Sequence, residues 1–465
     1  MSATNISASN RLAETLSLLK YYPRHIPNSL RYPHSFQRQL NDSILSEDSD
    51  DFQQDKEILW VLETAAVCIA TTDSTGSIAA AIEGSIRDNG PITLVLAKNR
   101  NINNHDQEIA DEFLRMFKSF DFQQALKFLV IHGRDNLNER IRTLRQSFFK
   151  ELLSYTASHS FKESAGEEFR NRFTTTVLND RKWGNKPVRE ILEYLLGFVR
   201  SVQELDNNIE ASHTRFVNLV FYTFMLRSSR YMAFIMQLSE DPDVDWYPHL
   251  REFQNALEQI ASFHKLEKLQ RFVHDHRHVI KVRWANNISY PPVEDAVTCR
   301  PPSSLARQLF MDFIKPNPRF GMSPLPLDVQ EKRFKNVEEL VKWNAPSGFW
   351  DSPAQIQLSL HPEIRIALDP AMATAPHHLI GCSTSACMCC ILWLDAYSRL
   401  EPSVPRWWLY RLGQGQEVDV GWAFPGKITG VSAILPLDQI VLEDVQKELS
   451  FRMSEYVDVY KWRYP

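Results

Sequence analysis

The sequence predicts an α+β protein in which a large N-terminal all-α region precedes a C-terminal α/β domain of three layers with a mixed sheet. Three observations lead there. From Glu57 to about residue 280, apolar residues recur at three and four positions. Ile109, Phe113, Met116, Phe117 and Phe120 show this spacing, as do Ile191, Tyr194, Leu195 and Phe198, and it is the spacing of one helix face. Between Tyr290 and Leu327 prolines crowd together, at 291, 292, 301, 302, 316, 318, 324 and 326, where they stop helices and favour extended backbone. Beyond Pro353 short alternating runs and short helical runs take turns, the pattern of a sheet with helices on its faces.

The 465 residues exceed what one ordinary core organises, so two or three domains are expected. Hydrophobic residues at 43% and charged residues at 23% place the chain among ordinary globular proteins. The expected order is a polar, disordered leader over 1–56, ending in the acidic Glu47, Asp48, Asp50 and Asp51, and then a helical domain over 57–290. A proline-rich connection over 291–327 and a second domain over 328–465 follow. Within the helical region Ile92 to Leu96, after Gly90 and Pro91, reads as one extended segment. Leu305 to Ile314 and Val329 to Trp343 read as helices near the connection. In the last domain Ile356, Leu358 and Leu360 alternate as in a half-buried strand. His378 to Cys382 forms a second strand and Cys387 to Leu400 a helix. Trp407 to Leu412 and Val418 to Phe424 read as further strands, and Leu437 to Trp462 as a terminal helix.

A formal net charge of −5 supplies no overall field for a polyanion, so nucleic acid is permitted as a partner but not implied. No run approaches the roughly 18 to 20 apolar residues of a membrane helix; Phe216 to Leu226 is shorter and reads as a buried core helix, so no membrane association is expected. Met1 to Asn10 has neither the basic start nor the apolar run of a secretory signal, which points to an intracellular protein, in cytoplasm or nucleus. Oligomeric state leaves no trace in the sequence. Of six cysteines, four gather as Cys382, Cys387, Cys389 and Cys390, while Cys68 and Cys299 lie far off. That distribution reads as metal binding or thiol chemistry in a reducing compartment, not as a disulfide framework.

Two motifs carry the chemistry. Cys387 and Cys390, three apart, face one side of a helix whose N-terminus favours the thiolate form that zinc needs. His361 supplies a third ligand, leaving one tetrahedral position for water, which distinguishes a catalytic zinc from a closed structural one. Glu363 lies two residues beyond His361, as in the H-x-E…C-x-x-C signature, where the glutamate moves the proton and does not bind metal. The runs His361, Pro362, Glu363, Ile364, then Leu379, Ile380, Gly381, Cys382, Ser383, then Cys387, Met388, Cys389, Cys390, resemble the OTT-type deaminase domain of the cytidine deaminase-like superfamily. The likeness covers about 355–400, and Trp422, Ala423, Phe424, Pro425 extend it to 425. It implies a zinc-dependent deaminase fold acting on a nucleobase-type substrate, free or in nucleic acid. Within it His361, Cys387 and Cys390 hold zinc and Glu363 is catalytic. Thr384 stands where the family usually places lysine, Gln414 or Gln416 where a histidine is expected, and Ala386 where better-known deaminases have proline. These positions bear on substrate recognition, not on the metal.

Blander readings stand beside these. A closed structural zinc site could use Cys382, Cys387, Cys390 and either His377 or His378, and would leave Glu363 without a task. The protein would then be a non-catalytic scaffold carrying a degenerate deaminase domain, with the helical region binding a protein partner. Cys389 reads as a packed helix residue and Cys382 as a core strand thiol. Trp393, Trp407, Trp408, Trp422 and Phe424 read as sheet-packing aromatics before base-stacking ones. The cluster His274, Asp275, His276, His278 beside Arg271, Arg277 and Lys281 reads as solvated surface. Gly413, Gln414, Gly415 lacks the context of a phosphate loop.

Overall fold

A computed structural model describes residues 8–21, 50–72, 77–86, 90–148, 188–229, 247–285, 296–299, 354–384, 387–400, 407–409, 421–425 and 436–449, with isolated positions 152, 232, 331, 332 and 335. In chain order they form helices α1 (Ala8–Tyr21) and α2 (Asp50–Thr72) and strands β1 (Ile78–Glu83) and β2 (Ile92–Lys98). Helices α3 (Asn104–Phe117), α4 (Phe122–His132), α5 (Arg134–Gln146), α6 (Val188–Ser201), α7 (Ile209–Arg227), α8 (Tyr247–Ala261) and α9 (Leu266–Asp275) follow. Then come strands β3 (Ile280–Trp284), β4 (Ala296–Cys299) and β5 (Ala354–Gln357), helix α10 (Pro362–Ala367), strand β6 (Leu379–Cys382), helix α11 (Met388–Leu400) and strand β7 (Trp408–Leu409). Residues 436–449 form a last helix, α12. The class is α+β and mostly helical, and among the described residues no helix is long and apolar enough to cross a membrane.

The main sheet has the order β3-β2-β1-β6-β7, with β1 antiparallel to both β2 and β6, and β6 parallel to β7. β4 and β5 pair antiparallel in a second, two-stranded sheet. The chain divides into two compact units, one of 1–63, 77–103 and 283–465, the other of 64–76 and 104–282. The expected layout, an all-α region over 57–290 before an α/β domain over 328–465, is matched only loosely. β1 and β2 arise inside the region expected to be helical, yet β1 lies at the centre of the sheet that also holds β6 and β7. The helices from α3 to α9 are inserted between β2 and β3. The segment Ile78, Ala79, Ala80, Ala81, Ile82 escapes a propensity reading because alanine is the best helix former; burial of all five on the sheet decides the matter.

The leader expectation also fails over 8–21. α1 is helical and buries Leu12, Leu16, Leu18 and Leu19 in the core of the first unit. Its Ala13 packs with Leu358 and Ala423. The rest of 1–56, apart from the start of α2, lies outside the described residues, as do the helix expectations at 305–314 and most of 329–343. Ile92–Lys98 bears out the extended segment, and α7 the buried helix around Phe216 to Leu226. The described parts of Trp407 to Leu412 and Leu437 to Trp462 give β7 and α12, whereas the strand expected over Val418 to Phe424 is represented among the described residues 421–424 by an isolated parallel bridge at Trp422 alone.

Small residues set the spacing in the first unit. The alanines of β1 leave room for α10, which packs on β1 and β2. Gly84 ends β1 with φ +100°, and a side chain there would overlap the Pro91 carbonyl, so glycine is required where the chain approaches β2. Gly381 in β6 lies directly against the α2 backbone at Leu62 and Glu63. Arg283, near the end of β3, donates from Nε to Glu83 Oε2 (2.9 Å) and through its two terminal nitrogens to Asp369 (2.8 and 3.2 Å). Asp369 is fully buried just after α10 and also accepts from the Ala371 amide at 3.0 Å. This clamp ties the residues behind α10 to the sheet. Asp369→Ala is expected to lower stability by about 2 kcal/mol in urea unfolding. That is below the usual cost of breaking a buried pair, because Arg283 is partly exposed and keeps Glu83. An unchanged midpoint would count against the clamp.

In the second unit the amphipathic spacing read from the sequence becomes buried faces: Ile109, Ala110, Phe113, Leu114 and Phe117 of α3, and Ile191 and Leu195 of α6 packed with Phe221, Tyr222 and Met225 of α7. Asp121 caps α4 by accepting from the Gln123 amide (2.9 Å), and Asn208 caps α7 through Ala211 (3.2 Å).

Candidate metal centre

Each half of the site sits where an extended segment turns into a helix. Pro362 occupies the first turn of α10, where its missing N–H costs nothing, and it holds the preceding residue out of helical conformation. His361 is accordingly extended, at φ −67° and ψ 148°. Its carbonyl accepts from the Arg365 amide (3.1 Å), which closes the first helical turn. On the other side β6 is locked to β1 by the register Ala79 with Cys382 and Ala80 with Gly381. Beyond the last strand residue, Ser383 and Ile78 exchange two bonds: the Ser383 amide to the Ile78 carbonyl and the Ile78 amide to Ser383 Oγ, both 2.9 Å. The chain then reaches Cys387, whose carbonyl accepts from Ile391 (3.2 Å) as α11 begins.

These two junctions bring the expected ligands together. Cys387 Sγ lies 3.4 Å from His361 Nδ1 and 3.4 Å from Cys390 Sγ. Cys390 Sγ lies 3.3 Å from His361 Nδ1. All three residues are buried, and the group could hold a metal ion. A tetrahedral zinc with Zn–S of about 2.3 Å and Zn–N of about 2.0 Å separates its ligand atoms by roughly 3.5–3.8 Å, so a few tenths of an ångström of opening would admit the ion. Glu363 Oε2 stands beside the group, 3.6 Å from Cys390 Sγ and 4.0 Å from His361 Nδ1, with the residue only 3% exposed.

The electrostatics follow from burial and proximity. Burial pushes the Cys387 thiol up, but hydrogen bonding with Cys390 and the charge of His361 outweigh it and bring Cys387 down to about 6. Burial, then Cys387 and Glu363, hold Cys390 well above the usual thiol range. Cys382 is likewise held up, by burial first and by the Glu363 carboxylate second.

Among the described residues the metal-binding group consists of His361, Cys387 and Cys390. Cys382 stays in β6 as a core thiol, and Cys389 packs in the core. His377 faces Asp55 (3.8 Å), and the His378 ring packs edge-on against Trp407, with centroids 4.8 Å apart. The closed four-ligand alternative is therefore not assembled. The cluster at 274–278 forms no metal-binding group either: His274 Nδ1 faces the Lys118 carbonyl (3.3 Å) and Nε2 faces Arg277 (3.0 Å). Thr384 is exposed, while Ala386, Gln414 and Gln416 lie outside the described residues.

Glu63 escapes the sequence reading. It is almost fully buried on α2, at the point where Gly381 admits the helix, and its charge acts on Cys382. The available signal is a carboxylate within the apolar run Trp60, Val61, Leu62, Glu63, Thr64, Ala65, Ala66, Val67, where a surface helix would place it on an exposed face. Comparison with family models, with curated proteins and with solved structures finds no match to this chain.

Proposed function

We propose that this protein is a zinc-dependent hydrolytic deaminase of the cytidine deaminase-like kind, acting on an amino-substituted nucleobase, nucleoside or nucleic acid. The observation that carries the reading is a buried three-ligand group with a buried carboxylate beside it and no fourth protein ligand among the described residues. One nitrogen with two sulfurs, gathered out of water, is a donor set suited to zinc, whose charge would compensate the two thiolates formed on binding. His361, Cys387 and Cys390 would hold it. A zinc ion there supplies the Lewis acidity that lets water lose a proton near neutral pH.

Glu363 does the proton work. Its Oε2 takes the proton released by water and later delivers protons to the ring nitrogen and the departing ammonia. Burial keeps that oxygen out of bulk solvent, so the proton it holds passes to the substrate and not to water. The resemblance of 361–364, 379–383 and 387–390 to the OTT-type deaminase domain supports the same assignment. The inserted helical unit is the proposed place for a protein partner or for control of access.

The purified protein is expected to carry about one zinc per chain. Glu363→Gln should keep that zinc and lower ammonia release by about 10²–10⁴-fold on any base, nucleoside or oligonucleotide the wild type turns over. Full activity in that variant, or zinc lost through His377 or His378 but not through His361, would overturn the reading. A structural-zinc scaffold would instead keep its metal and release no ammonia from any member of the panel.

A further inference from the structure

We propose that the second unit binds single-stranded nucleic acid on the surface formed by Phe120 and the end of α9, where a base stacks on the Phe120 ring and Arg277 and Lys281 answer the phosphates. The surface uses no residue of the metal centre, so it stands or falls apart from the deaminase reading.

Charge sets this stretch apart. The chain as a whole carries a formal net charge of −5, yet from Lys265 to Lys281 five lysines and arginines stand against two carboxylates, with His274, His276 and His278 among them. Arg271, Arg277, His278 and Lys281 are exposed. Glu267 lies 4.0 Å from Arg271, while Arg277 and Lys281 meet no carboxylate among the described residues. A local run of cations supplies the field for a polyanion that the overall charge does not.

The second observation is an aromatic ring held out in water. Phe120 is 48% exposed, and its backbone has φ 52°, a left-handed conformation that a bulky side chain rarely adopts. Glycine would fit that turn without strain, so the ring is kept there at a cost to folding, as happens at ligand-holding positions. The turn between α3 and α4 that carries it is fastened to α9. Arg277 can only donate, and it does so to His274 Nε2 (3.0 Å) and to the His274 carbonyl (3.1 Å). The imidazole proton therefore sits on Nδ1, which donates to the Lys118 carbonyl (3.3 Å). The Phe120 and His274 ring centroids are 4.9 Å apart. Phe120, His274 and Arg277 thus form one continuous ridge of phenyl ring, imidazole and guanidinium. Asp121, next to Phe120, has its carboxylate turned to the Gln123 amide as a helix cap.

This combination favours a single strand. An aromatic plane offers any base a stacking partner, but only an unpaired base can reach it, because a duplex keeps its bases stacked on one another. Guanidinium and ammonium groups beside the ring then track the backbone phosphates. A membrane surface asks instead for several apolar side chains on one face. Among the described residues of 117–122 and 266–282, Phe120 is the one large apolar side chain that is exposed.

The test uses the full chain at roughly physiological salt, with a fluorescein-labelled single strand of mixed sequence about a dozen nucleotides long, as DNA and as RNA. The matching duplex and vesicles of phosphatidylserine with phosphatidylcholine are the competing ligands. Fluorescence anisotropy should show the single strand, DNA or RNA, bound more tightly than the duplex, and the chain should not sediment with vesicles. Phe120→Leu keeps an apolar side chain but loses the plane, and is expected to weaken single-strand binding about 10-fold, whereas Phe120→Trp keeps it. The double variant Arg277→Gln with Lys281→Gln should flatten the dependence of log affinity on log salt by about 1.4, at about 0.7 per cation on a single strand. All three positions are exposed, and unchanged thermal unfolding checks that the variants fold. A wild-type chain that binds no single strand, or that binds vesicles in its place, overturns the proposal. Equal affinity in Phe120→Leu also overturns it. None of these results alters the zinc content or ammonia release on which the deaminase reading depends.

Discussion

Replacing Cys390 with alanine is expected to empty the metal centre, whereas replacing Cys389, its immediate neighbour, is expected to leave it filled. Cys390 Sγ is within 3.4 Å of both other ligand atoms, and Cys389 contributes nothing to the group although it is equally buried. Two remaining ligands do not hold zinc against competing water and buffer, because tight protein sites supply at least three. Metal that binds only the folded chain adds to stability by mass action. Its loss should cost about 4 kcal/mol where the metal stands a thousandfold above its dissociation constant. Metal per chain by elemental analysis, and thermal unfolding with and without chelator, check both halves. Chelator should lower the wild-type midpoint to that of Cys390→Ala and leave the variant unmoved. Equal metal content in Cys390→Ala and Cys389→Ala would contradict the ligand set.

Gly381→Ala is the second large effect. An added Cβ would overlap the Glu63 amide nitrogen and the Leu62 carbonyl carbon, which are backbone atoms and cannot turn aside as a flexible side chain can. α2 must then move off β6, opening the packing between the helix that carries Glu63 and the strand that leads to Cys387. Overpacking of this kind costs about 3 kcal/mol, read as a lowered urea midpoint. Gly197→Ala in α6 is the contrast. A Cβ there meets nothing, and alanine in a helix is favoured over glycine, so a gain of about 1 kcal/mol is expected. A neutral Gly381→Ala would show that α2 and β6 do not approach as closely as described.

The parts of this protein visible in the sequence are those where chemistry and local pattern coincide. Pro362 after His361 marks an extended residue leading into a helix, and the pair Cys387 and Cys390 marks a helix start with two sulfurs on one side. Both are local, and the structure brings the two halves together. The helix expected from Cys387 begins at Met388, and the strand expected from His378 begins at Leu379. What failed was long-range. β1 is an alanine run whose strand identity comes only from being buried between β2 and β6, a pairing about three hundred residues apart in sequence. The placement of α3 to α9 as an insertion between β2 and β3 has no local mark, because a chain that leaves one core and later returns to it reads the same as one that begins there. α1 was hidden by its polar surroundings, although Leu12, Leu16 and Leu19 already carry helical spacing. Trp422 is buried in the core as a packing aromatic, but it lies outside the named strands, at an isolated bridge.

The most direct measurement is X-ray absorption at the zinc edge of the purified protein without substrate. The expected result is a four-coordinate ion with two sulfurs at about 2.3 Å, one nitrogen and one oxygen at about 2.0–2.1 Å. The nitrogen scattering should disappear with His361→Ala, and the oxygen should persist in Glu363→Gln because it belongs to water. Three sulfurs and a nitrogen, or an oxygen lost with Glu363, would mean a closed protein-ligated ion and would contradict the open position on which the catalytic reading depends.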